Sequence, residues 1–238
     1  MVALAVSAFT LTSAFARDIS EKKHLVGFNA GFSLNTMGLQ KDTEYGDAKN
    51  TIKPGGVFGI NYEYRAPKVF GLEIGANYAN RGTQQKFTGD NLNRSFLRYN
   101  FHSVEVPVIA KFYMGKNKVF NINVGGYASY AFNVQSRLKV DYKENSILLV
   151  DIDKRENNLL KDNNEDPNGE KLWRAYDAGV NVGFEFVSKS GFGVGARVQQ
   201  GLVDFTNPDH IIGDDKKKVL HTNAIFYAIF KTSSYYLA

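Results

Sequence analysis

A chain of 238 residues with a formal charge of +5 and no cysteine suits one domain or one closed barrel, and it excludes a disulfide framework, a thiolate metal site and a cysteine nucleophile. Lys and Arg alternate with Asp and Glu, and the run Lys216-Lys217-Lys218 directly follows Asp214-Asp215, so no basic field suited to nucleic acid builds up. The mean hydropathy of -0.30 is compatible with a membrane barrel, where only alternate strand residues face lipid and the loops are polar.

Residues 1–16, MVALAVSAFTLTSAFA, are apolar and small and end in Ala14-Phe15-Ala16. The run is too short for a spanning helix. It fits a secretory signal cleaved between Ala16 and Arg17, although the usual basic n-region is missing. Residues 17–238 then form a single β-barrel domain.

From residue 24 onward the dominant period is two, the signature of strands. In 24–35, Val26, Phe28, Ala30, Phe32 and Leu34 oppose Gly27, Asn29, Gly31, Ser33 and Asn35. The pattern repeats in 57–65, with Phe58, Ile60, Tyr62 and Tyr64 against Gly59, Asn61 and Glu63, and in 69–80, with Leu72 and Ile74 against Glu73 and Asn77. Residues 101–114 set Val104, Val106 and Val108 against Glu105, Pro107 and Lys111; residues 119–133 set Ile122 and Val124 against Asn121 and Asn123. Residues 173–187 and 192–205 continue the scheme, with Asp177, Asn181, Glu185, Arg197 and Gln199 on their polar faces. An eighth strand over 222–231 is apolar on both sides, and the pattern does not orient it.

The connections alternate strictly. Ala66-Pro67, Gly115-Lys116-Asn117-Lys118 and Ser188-Lys189-Ser190-Gly191 are short turns, whereas about 36–52, 81–100, 134–171 and 207–220 are long and polar. Short periplasmic turns and longer extracellular loops characterise outer-membrane barrels, and an even strand count returns both termini to the periplasmic side. Within the third connection, RLKVDY and ILLVDID alternate well enough to form a hairpin that extends the fifth strand.

The alternative is a soluble eight-stranded barrel of lipocalin type, with an apolar interior. Here the polar face is rich in Gly, which a narrow lumen needs, and Tyr64, Tyr78, Tyr130 and Trp173 fall near strand ends, where interfacial aromatics sit. The expected fold class is therefore all-β: an eight-stranded antiparallel up-and-down transmembrane β-barrel in the outer membrane.

The segment FHSVEVPVIAKF (101–112), followed one strand later by VGGYASYAF, and the Asp177-Ala178-Gly179 start of the sixth strand resemble the outer-membrane β-barrel domain of PorT-like proteins of the Bacteroides–Flavobacterium type. The resemblance covers about residues 24–231. It implies an outer-membrane location and an eight-stranded barrel, in a family where some members are linked to secretion of surface proteins. The chain departs from the common pattern in running past Phe230 into KTSSYYLA, where such barrels usually end on an aromatic; Phe230 or Tyr236 would serve instead.

Glu63, Glu73, Glu105, Lys111, Asp177, Glu185 and Arg197 are expected to point into the lumen, where charges must pair. A salt-bridged plug is the plain expectation, and a proton or small-ion path is the alternative. Arg81, Lys86, Arg94 and Arg98 make the second connection basic and suit lipopolysaccharide phosphates. Asn164-x-Asp166-x-Asn168-Gly169 only superficially echoes a calcium loop, since Pro167 interrupts it and its twelfth position is Ala175. His24, His102, His210 and His221 share no metal-ligand spacing, and no Ser-His-Asp set is legible. The expectation is a non-enzymatic barrel with a structural, anchoring or surface-interaction role and no cofactor or metal. Its partners would be outer-membrane lipid and lipopolysaccharide, with other envelope proteins through the loops. The alternatives are a narrow porin-like channel and, further off, a barrel enzyme or a secretion accessory.

Overall fold

The computed structural model describes residues 18–38, 42–43, 46–67, 69–88, 92–115, 117–144, 147–157, 175–204 and 220–233. The expected signal segment, Trp173 and the calcium-like loop up to Arg174 lie outside them. Eight long strands follow the period-two segments: β1 (His24–Met37), β4 (Lys53–Arg65), β5 (Phe70–Thr88), β6 (Leu92–Met114), β7 (Phe120–Glu144), β9 (Tyr176–Val187), β10 (Phe192–Gly201) and β11 (His221–Ser233). Each pairs antiparallel with its two neighbours in the order β1-β4-β5-β6-β7-β9-β10-β11, and β11 returns to β1 through Leu25↔Ser233 to Met37↔His221. The sheet is a closed eight-stranded ring, which leaves no open edge at membrane depth.

The ring puts the polar face inside. On β6, Val104, Val106, Val108, Phe112 and Met114 are 43–49 % exposed, while the intervening Glu105, Ile109 and Lys111 are buried. From Val104 to Met114 the strand runs about 33 Å at roughly 3.3 Å per residue, or about 25 Å of height at a tilt of roughly 40°, the apolar band of an outer-membrane barrel. Aromatics border that band. His24 donates to or accepts from Tyr62 Oη at 2.6 Å on the rim with the short turns, and His102 pairs likewise with Tyr78 Oη at 2.6 Å toward the other rim. β11 buries Ile225, Tyr227, Ile229 and Lys231 and turns Phe226 outward, which settles the strand that the sequence pattern left unoriented.

Three further strands lie beyond the band: β2 (Asp42–Thr43), β3 (Gly46–Thr51) and β8 (Ile147–Asn157). β3 pairs with the outer end of β5, and β8 with the outer end of β7. The stretch expected as a polar loop over 81–100 is mostly strand: β5 continues to Thr88 and β6 resumes at Leu92, paired from Arg81↔Phe101 to Lys86↔Phe96. Loop assignment failed there because the alternation changes sign above the membrane. Inside the band the outward residues are apolar; beyond it the outward Lys86 is exposed and the inward Phe87 and Phe101 are buried.

Candidate functional site

The lumen is filled by charge. Toward the rim of short turns, β4 supplies Glu63, β5 Glu73, β6 Lys111, β9 Glu185 and β11 Lys231, all of them 0–3 % exposed. Lys111 Nζ lies 3.0 Å from Glu63 Oε2 and 2.9 Å from Glu185 Oε1 and also contacts Glu73 Oε2. Lys231 Nζ binds the same oxygens, at 2.5 Å from both Glu63 and Glu185 and 3.5 Å from Glu73. Two ammonium groups are thus shared among three carboxylates. Arg65 Nε (2.5 Å) and Tyr113 Oη (2.5 Å) donate to the other oxygen of Glu63, and Tyr227 Oη donates to Glu185 Oε2 at 3.2 Å. Arg197 stands 3.7 Å from Glu73.

A second layer lies further out. Arg81 on β5 contacts Glu105 of β6, lies 3.4 Å from Asp177 Oδ2 of β9, donates to Gln199 Oε1 at 3.0 Å and covers the Tyr127 ring at 4.7 Å. Tyr127 Oη donates to Asp177 at 2.8 Å, and Gln199 Nε2 donates to Glu105 at 3.0 Å. Across both layers, among the described residues, five cations (Arg65, Arg81, Lys111, Arg197, Lys231) face five carboxylates (Glu63, Glu73, Glu105, Asp177, Glu185), so these ten charges balance; the buried Lys53 just beyond them donates instead to Asn80 Oδ1 at 2.9 Å and to the Arg81 carbonyl at 3.2 Å. That balance is what a low-dielectric interior demands, since an unpaired buried charge is strongly destabilising.

Glycine makes room for these rings. A Cβ on Gly195 would stand 2.5 Å from Tyr227 Cζ, and one on Gly179 would stand 2.8 Å from Tyr127 Oη; both are register partners of those tyrosines. The small residues of the polar face therefore seat aromatics that hold the carboxylates. The void beside the first layer, bounded by Asn61, Glu73, Glu105, Arg197 and Tyr227 among others, measures about 20 Å³, which is room for about one water.

Glu63, Glu73 and Glu185 offer three carboxylate oxygens within 4.8 Å of one another, a spacing that suits a cation. Lys111 and Lys231 already sit on those oxygens, so the carboxylate charge that would attract a divalent ion is taken up by ammonium.

Outside the lumen, the extensions of β5–β8 present an outward face of basic side chains. Arg98 donates twice to Gln84 Oε1, at 3.0 and 2.7 Å, and stacks over Phe96 at 5.2 Å. Arg137 forks onto Asp153 at 2.9 and 2.8 Å and holds that carboxyl below its ordinary pKa, chiefly through these hydrogen bonds.

Residues 15–207 match the family described as outer membrane protein beta-barrel domain. The chain belongs to that family. It is an outer membrane β-barrel protein. Among solved structures the chain is similar to Ail of Yersinia pestis in complex with the heparin analogue sucrose octasulfate (11 % identity, covering 88 % of this chain and 99 % of that one, TM-score 0.41). It is similar also to Neisserial surface protein A (14 %, 88 % and 97 %, 0.42) and to OprG from Pseudomonas aeruginosa (13 %, 90 % and 98 %, 0.39). No curated protein matches the sequence.

In this outer membrane barrel all seven residues expected in the lumen have buried side chains, at most 7 % exposed. The two layers bring them together. Of the four expected on the basic second connection, Lys86 and Arg98 face outward, and the Arg94 side chain lies outside the described residues. Arg81 is a correction: it is 2 % exposed and belongs to the second lumen layer, because β5 continues inward-facing at that position, so its guanidinium does not reach lipid phosphates. Sequence reasoning missed Arg65 and Lys231 as network members. Arg65 follows Glu63 at the same parity, a signal that was available; Lys231 shares parity with Asn223 on a strand whose apolar residues hid it.

Proposed function

We propose that this outer membrane barrel is a closed, non-enzymatic anchor that acts through its extracellular strand extensions. The observation that carries the reading is the double layer of ten paired charges across the lumen, with room for about one water beside it. A conducting path would need these side chains to part, and each separation leaves a buried charge uncompensated. Catalytic work by the carboxylates is disfavoured for the same reason: they are bound to ammonium or guanidinium groups and closed off from any substrate. The segment over 1–16 supports export with cleavage after Ala16. The Glu105-Val106-Pro107 strand and Asp177-Ala178-Gly179 support a PorT-like place within the family, in which a role beside a secretion system is the nearest alternative duty.

Planar-bilayer recording of the purified, folded protein tests this. The expected trace is flat at moderate voltage; regular ohmic steps would sink the closed barrel in favour of a narrow porin-like channel.

A further inference from the structure

The outward face of the strand extensions gathers cations from neighbouring strands. In register across β5 to β8 stand Gln84, Arg98, Arg137 and Arg155, three arginines abreast on one face. The next row on that face reads Lys49, Lys86, Phe96, Lys139 and Asp153. Two adjacent rows therefore hold six cations and one carboxylate, with Asp141 of the following row 3.1 Å from Lys139, and like charges directly opposite each other on neighbouring strands repel. Asp153 is offset to one side, 2.8 Å from Arg137 and 3.8 Å from Arg155. Among the described residues no carboxylate is paired with Arg98, whose guanidinium is instead fixed by the neutral Gln84 and the Phe96 ring.

We propose that these two rows form a binding surface for the phosphate groups of outer-leaflet lipid, with Arg98, Arg137 and Arg155 as the principal contacts. Position selects the lipid as the source of the phosphate. The rows continue the lipid-facing side of β6 directly: Arg98 lies four residues beyond His102, about 13 Å along the strand at roughly 3.3 Å per residue, and His102 with Tyr78 borders the apolar band. A guanidinium at that height meets headgroups, and its planar fork matches a phosphate with two hydrogen bonds. Basic residues just beyond the apolar band of a membrane protein hold anionic lipid in this way. The surface is independent of the lumen and stands whether or not the barrel conducts.

The test is a titration of the full-length folded barrel in zwitterionic micelles, read as the shift in its thermal unfolding. Three probes are compared: diphosphoryl lipid A, the same lipid without phosphates, and soluble inositol hexakisphosphate at matched phosphate concentration. The phosphorylated lipid should bind at least about tenfold more tightly than either control. Equal binding of the dephosphorylated lipid overturns the phosphate contact, and equal binding of the soluble phosphate overturns the lipid as its source. The triple variant Arg98→Gln, Arg137→Gln, Arg155→Gln should lose the preference about tenfold or more. Lys154→Gln, on the opposite face of β8, should keep it; equal loss in both overturns the assignment to this face. Repeating the wild-type titration at high salt needs no variant: the preference should collapse through screening, and its persistence overturns the proposal.

Discussion

Lys231 and Lys111 each touch the same three carboxylates, so neither lysine has a private partner. Removing one leaves three glutamates around a single ammonium in a site 0–3 % exposed. Breaking a buried pair from one side costs about 3–5 kcal/mol, and the surviving lysine recovers part of it by drawing closer. Lys231→Met should therefore lower the unfolding free energy by about 3 kcal/mol, measured by urea titration of the folded barrel in lipid vesicles. Adding Glu63→Gln should cost less than the two single changes summed, because the groups share one network. A loss within experimental error for Lys231→Met would mean that water or lipid headgroups reach the site and screen it.

At the scale of the element, β5, β6 and β7 are far longer than the membrane requires, at 19, 23 and 25 residues. In their outer thirds the polarity of each face reverses, and on β7 the register shift between Ala131 and Asn133 also moves the inward positions from odd to even numbers. Within the band the lumen takes Glu105 and Lys111; above it the inward positions hold Val134 and Val140, buried at 0 and 6 %. Headgroups and water then lie outside rather than lipid chains, and charged residues take the outward positions. Among the described residues the β7–β8 hairpin pairs only with itself and β6 in its outer part, since the β7–β9 register ends at Tyr130. Replacing residues 141–151 by an Asn-Gly turn, a strong hairpin connector, should leave the ring intact and shift stability by less than about 1 kcal/mol. Retained heat-modifiable migration on gels would show it; loss of the folded band would mean that the hairpin helps to close the ring.

For the whole molecule, closure of β1 on β11 removes the last unpaired strand edge and makes the outward surface one continuous apolar belt. Phe28, Phe32, Phe58 and Val194, among others, are more than half exposed, which water does not tolerate over so wide a patch. The purified chain should stay dispersed only in detergent or lipid, give a predominantly β circular dichroism spectrum, and migrate differently before and after boiling. A protein that remains monomeric in buffer without detergent would refute insertion and bring back the soluble barrel.

The sequence by itself determined the eight through-strands, their antiparallel succession, the short turns at one rim, and the inward parity of Glu63, Glu73, Glu105, Lys111, Asp177, Glu185 and Arg197; the connection expected over 81–100 proved to be mostly paired strand. Those properties are local: period two and turn chemistry act over a few residues and need no knowledge of the partner strand. Tertiary structure alone decided which charges meet. Glu63 and Lys231 are 168 residues apart and touch only because the ring closes and sets β4 two strands from β11. The same closure oriented β11, whose two apolar faces looked alike until one of them had a lumen to face. Continued pairing between β5 and β6 moved Arg81 from an expected loop to the plug, since strand register beyond the membrane is fixed by the neighbouring strand rather than by hydrophobic alternation. It also lined up Arg98, Arg137 and Arg155, which no spacing within the chain reveals, because their adjacency belongs to three different strands.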